Sequence, residues 1–186
     1  MAERLRSTPD VRSLARLFYQ DASDLGKWQA IEPAEMPSPY RELLHHENHM
    51  TVTVERHHAC PVDVKVLDTV IDGHHYARKI LLARQSDGRI VQFGIMCLNF
   101  NFVSDEIRSE VESQRAPLGR ILIKHQALRD IHSIKLWQFQ PGPDLQELLV
   151  VDAAAVIYGR TAMIDVNGEP AVELLEIVAP DPASDD

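Results

Sequence analysis

Two apolar runs, VIYGRTAMIDV and EPAVELLEIV, stand on either side of Asn167-Gly168. A two-residue hairpin turn needs positive φ at both central positions, which Asn and Gly adopt at little cost. The pair therefore predicts two antiparallel strands joined by a tight turn, and the rest of the chain has to be compatible with that sheet. Further period-two stretches follow the same pattern: HMTVTVERH, CPVDVKVLDTVID, HHYARKILLAR with SDGR as its closing turn, IVQFGIMCLNFNF and IHSIKLWQFQ.

Helical spacing appears elsewhere. DVRSLARLFYQ (10–20) opens with Asp10 as a candidate N-cap, and SDEIRSEVESQ (104–114) opens with Ser104 followed by acids in its first turn. PYRELLHH (39–46), PLGRILIKHQAL (117–128) and PGPDLQELL (141–149) read as further helical segments begun by proline. GKWQAIEPAEMPSPY (26–40), with three prolines, reads as a loop, and DPASDD (181–186) as a disordered acidic tail. The order is helix, strands, helices, strands, without a strand–helix–strand alternation. That predicts an α+β fold with a single antiparallel sheet of roughly six strands and helices packed to one side. At 186 residues the chain suits a single domain, residues 1–186, with its core over about 43–180 and a helix plus Pro-rich loop over 1–40.

Charge limits the partners. A formal net charge of −9 argues against nucleic acid and against anionic membranes, which require a basic footprint. An anionic ligand would need positive charge gathered locally inside a pocket. Cys60 and Cys97, far apart in sequence, fit a reduced cytoplasmic protein. MAERLRSTPD has no apolar export core, and no apolar run reaches spanning length. Three histidines and a glutamate crowd HHENH (45–49), but His46-Glu47 is not followed by the spacing of the zinc-protease signature. Adjacent histidines at 45–46, 57–58 and 74–75 would point to opposite faces of a strand, and neither cysteine has a CxxC partner. The expectation is no metal.

Strand parity puts charges on apolar rows. Tyr76, Arg78, Ile80 and Leu82 share a face; so do Val156, Tyr158, Arg160, Ala162 and Ile164; so do Val172, Leu174, Glu176 and Val178. Any one of these charges could simply reach solvent along its stem. Three together predict a polar site in an otherwise apolar sheet, because an isolated buried charge is costly. An arginine fork matches a carboxylate, so the residues suggest a small, enclosed site for an organic anion.

HMT, YARKILL, APLGRIL, YGR and ELLEIVAP, in that order, resemble the chorismate lyase (chorismate–pyruvate lyase) family over about Leu43 to Pro180. The resemblance implies a carbon–oxygen lyase that converts chorismate to 4-hydroxybenzoate and pyruvate, in ubiquinone biosynthesis, without metal or cofactor. It implies Arg78 and Glu176 as catalytic residues. Backbone amides at Met50 and Leu118 would help bind substrate, and Arg160 matches the pattern as well. The alternative is a non-catalytic domain binding an aromatic carboxylate, related to the effector domains of bacterial transcription regulators. The forty or so residues before the match are too few and insufficiently basic for a winged helix.

Overall fold

The computed structural model describes residues 8–180, so the acidic tail lies outside the described residues. Seven strands form one sheet: β1 (Gly26–Ile31), β2 (Val62–Asp72), β3 (His75–Arg84), β4 (Ile90–Asn99), β5 (Arg129–Pro141), β6 (Ile157–Val166) and β7 (Glu169–Val178). Their order is β1-β5-β6-β7-β4-β3-β2, and every neighbouring pair is antiparallel. The expected α+β architecture is present. Asn167 and Gly168 both have positive φ, +54° and +85°, as a turn of this hand requires.

The helices are α1 (Val11–Ala15), α2 (Tyr40–Leu44), α3 (Met50–His58), α4 (Asp105–Glu112), α5 (Leu118–Lys124) and α6 (Pro143–Leu149). Asp10 caps α1 by accepting from the Ser13 amide, and Ser104 caps α4 by accepting from the Ile107 amide. Leu43 and Leu44 of α2, Met50 and Val54 of α3, and Ile107, Val111, Ile121 and Leu122 of α4 and α5 pack on the sheet face that carries Tyr76, Met96, Ile164 and Leu174. The reverse face, with Leu81, Phe93, Ile95, Leu175 and Ile177, is closed by α1, α6 and the turn Ala22–Leu25.

Two expectations fail locally. HMTVTVERH is not a strand: Met50–His58 is helix, and its buried set is Met50, Thr51 and Val54, a helical stripe. Alternating threonine and valine lower helix propensity only slightly, and packing of that stripe outweighs it. The basic residues Arg56, His57 and His58 fall in the last turn, where the helix dipole favours positive charge. The segment 26–40 is not all loop either. Gly26–Ile31 forms β1 against Pro141–Leu136 of β5, and irregular chain begins only at Glu32. That seventh strand depends on a glycine pair. A Cβ on Gly26 would lie 2.6 Å from the Gly142 nitrogen, and one on Gly142 would lie 2.7 Å from the Gly26 nitrogen.

Candidate functional site: a cavity over the sheet centre

Cross-strand register assembles the predicted charges on one face. Arg78 of β3 is opposite Met96 of β4, Gly94 of β4 is opposite Glu176 of β7, and Glu176 is opposite Arg160 of β6. All three charged residues are buried, at 1%, 8% and 0% exposure for Arg78, Glu176 and Arg160.

The two arginines have different surroundings. Arg160 is saturated by protein acceptors. Its Nε donates to Glu176 Oε2 at 2.8 Å, Nη1 to the His46 carbonyl at 2.7 Å and the Leu44 carbonyl at 3.4 Å, and Nη2 to the Asn48 carbonyl at 3.1 Å. It therefore pins the α2–α3 connection to the sheet. Arg78 makes one long bond, Nη2 to the Ala116 carbonyl at 3.3 Å, and its Nε and Nη1 are buried without a partner. Burial pulls its pKa below the usual arginine value, while the nearby Tyr76 hydroxyl pushes the other way. An arginine remains charged in such surroundings. Its free nitrogens are thus a desolvated cation without a counter-charge, an arrangement proteins seldom keep for stability alone.

Arg78 and Glu176 line a cavity of about 50 Å³ together with His49, Met50, Gln92 and Leu118. That is room for several water-sized groups. Arg160 lies behind the wall and does not line it. Met50 and Leu118 begin α3 and α5, so their amides belong to first turns, whose N–H groups have no intrahelical acceptor. The two first turns meet closely because residue 119 is glycine. A Cβ there would stand 3.1 Å from His49 Cβ and 3.2 Å from Thr51 Oγ1.

His49, Thr51 and Gln92 are polar lining residues to which sequence reasoning gave no binding role. His49 is 7% exposed, and its Nε2 has no partner. Burial, then the positive charges of Arg129 and Arg160, push its pKa down to about 4, so it is neutral at physiological pH. The pKa of His46 is lowered as well, by burial first and Arg160 second. Its Nδ1 accepts from the Asn48 amide at 3.1 Å and its Nε2 donates to the Leu43 carbonyl at 2.7 Å. Gln92 had a readable signal, being one polar residue in the apolar run IVQFGIMCL. Among the described residues no group of three or more His, Cys, Asp and Glu side chains is arranged to hold a metal. No helix among them is long and apolar enough to cross a membrane.

Fold and cavity together define a class: an antiparallel α+β domain with an arginine-bearing pocket between the sheet and its helices. Among solved structures the chain is similar to the effector domain of PhnF from Mycobacterium smegmatis, with a TM-score of 0.53 at 12% identity over 73% of this chain and 90% of that one. It is similar to PhnF from the same organism at a TM-score of 0.52 and 12% identity; 72% of this chain is covered, and the match spans only 64% of that longer protein. A GntR-family transcriptional regulator from Bacillus cereus gives a looser likeness, 0.45 at 8% identity over 67% of this chain and 94% of that one, too loose to argue from. No family model and no curated protein matches this sequence.

These likenesses correct the expected family. The solved chains that share the fold include PhnF and its effector domain, so membership of the chorismate lyase family, lyase activity and a place in ubiquinone biosynthesis are withdrawn. The motifs that suggested the family are those that build the fold's pocket, and a shared fold does not carry its chemistry. Glu176, which the resemblance implied as a catalytic residue, accepts a hydrogen bond from Arg160 Nε through Oε2.

Proposed function

We propose that this chain is a non-catalytic binding module of effector type, one domain that takes a small organic anion in the cavity over β3, β4 and β7. Aromatic carboxylates are the first candidates. The observation that carries the reading is Arg78, buried to 1% exposure with Nε and Nη1 unpartnered and lining the cavity. A carboxylate would accept from one of these nitrogens together with Nη2, along one edge of the guanidinium, and supply the missing counter-charge. The first turn of α3 offers further N–H groups at Met50 and Thr51, and Leu118 does the same from α5. Arg160 acts as a positioning residue, through Glu176 and the carbonyls of the α2–α3 connection. The likeness to a domain described as the effector domain of PhnF supports ligand sensing. A cytoplasmic setting agrees with Cys60 and Cys97, neither of which is joined in a disulfide.

Titration calorimetry with a panel of small carboxylates, including benzoate and 4-hydroxybenzoate, tests the reading on the wild-type chain and on Arg78→Ala. At least one carboxylate should bind, and loss of the guanidinium should weaken it by about 1.5–3 kcal/mol. Lysine at position 78 should rescue only part of this, lacking the fork. Equal affinity in Arg78→Ala would move the anion site elsewhere.

A further inference from the structure

The cavity holds a second unmet group of opposite character. Gln92 stands on β4, on the face of Gly94 and Met96, and is 2% exposed. Its side chain lines the cavity, and Oε1 has no hydrogen-bond partner. A buried amide oxygen left alone carries its full desolvation penalty. In the orientation shown it is the carbonyl oxygen of the amide that lacks a partner. His49 Nε2 can donate or accept according to its tautomer, so it does not set the polarity of the ligand. Gln92 Oε1 does: it requires a donor.

The spacing separates the two anchors. Arg78 is registered with Met96, and Gln92 lies four residues along the same strand from Met96. At a rise of roughly 3.4 Å per residue their backbone positions are about 14 Å apart along the sheet. Gly94, midway between them, has no side chain to fill the floor. Two long side chains at the ends of an open floor suit the two ends of one small molecule.

We propose that the ligand is a small anion carrying a hydrogen-bond donor, a hydroxyl or amino group, at the end remote from its charge. Arg78 holds the anion, and Gln92 Oε1 receives the donor and selects for it. This rests on the anion-binding reading above and adds a specificity residue to it.

The test compares matched ligands by calorimetry: benzoate, 4-hydroxybenzoate, 4-aminobenzoate, 4-methoxybenzoate and 2-hydroxybenzoate, with pentanoate and 5-hydroxypentanoate as an aliphatic pair. Wild-type protein should bind the compounds with a remote donor about tenfold or more tighter than their parent acids. The methoxy compound, which keeps the oxygen but cannot donate, and 2-hydroxybenzoate, whose donor sits beside the charge, should show no such gain. Gln92→Leu should erase the preference, so that each donor-bearing acid and its parent bind within about twofold of each other. It should also keep or raise the thermal midpoint, since it removes an unmet polar group. A preference that survives Gln92→Leu, one shared by the methoxy compound, or a lowered thermal midpoint in Gln92→Leu overturns the role of Gln92. Binding that ignores the donor but still needs Arg78 overturns this inference alone. Binding indifferent to Arg78→Ala, or no binding of any acid, overturns the reading beneath it as well.

Discussion

Arg160 and Glu176 face each other across β6 and β7, guanidinium Nε to carboxylate Oε2 at 2.8 Å, and both are buried. The same guanidinium binds the carbonyls of Leu44, His46 and Asn48, so one ion pair ties the sheet to the connection that leads into the cavity wall. Removing one partner of a buried pair strands the other charge. Glu176→Gln should therefore lower unfolding free energy by about 3 kcal/mol, measured by urea denaturation. An unchanged midpoint would mean that solvent or another group compensates Arg160.

Arg78 should behave in the opposite way. Its charge lacks a counter-charge in the protein, so replacing it with methionine, similar in length and apolar, should stabilise the unliganded fold by about 1–3 kcal/mol. The same change should abolish anion binding. A destabilised Arg78→Met would show that the bond to Ala116 or the contact with Tyr76 matters more to the fold than the buried charge costs it.

Acidification should weaken the fold through His49. In the unfolded chain a histidine titrates near pH 6.5, whereas in the fold His49 titrates at about 4. Between those values the unfolded chain takes up a proton that the fold refuses, so stability is full above about pH 6.5 and falls as pH drops toward 4. The loss should be on the order of 2–3 kcal/mol, with His46 acting in the same direction. Urea denaturation at pH 7 and pH 5 on wild type and His49→Gln checks this. A variant that keeps the full pH slope would assign it to other groups.

Two glycines on the strands that flank β7, Gly159 of β6 and Gly94 of β4, should respond differently to added side chains. A Cβ on Gly159 would meet the Glu176 carbonyl oxygen at 2.6 Å and Phe139 Cε2 at 3.1 Å, so Gly159→Ala should cost about 2 kcal/mol or more. A Cβ on Gly94 would sit at 3.4 Å from Ile80, ordinary contact, with the cavity beyond it. Gly94→Val should therefore keep the fold and block ligand. Thermal melts and calorimetry on both variants separate the two effects, and a Gly94→Val protein that still binds would place the ligand away from the β4 floor.

Much of this protein was determined by local pattern. Asn167-Gly168 specified the β6–β7 turn because positive φ is a property of those residues themselves. Ser104 and Asp10 specified helix starts through bonds within three residues. Parity alone put Arg78, Glu176 and Arg160 each in the apolar row of its own strand, since alternation along a strand survives any arrangement of its neighbours. What depended on distant partners was decided only by the tertiary structure. The threonines and valines of α3 alternate as a strand would, and a buried stripe against the sheet and α5 made them a helix. β1 exists because Gly26 and Gly142, 116 positions apart, let two backbones approach. Register then gave the two arginines opposite fates. It set Arg160 beside Glu176 and the carbonyls that satisfy it, and left Arg78 across from Met96 with Nε and Nη1 unpartnered at the cavity. No local pattern could distinguish them, because whether a charge is satisfied is a property of its surroundings.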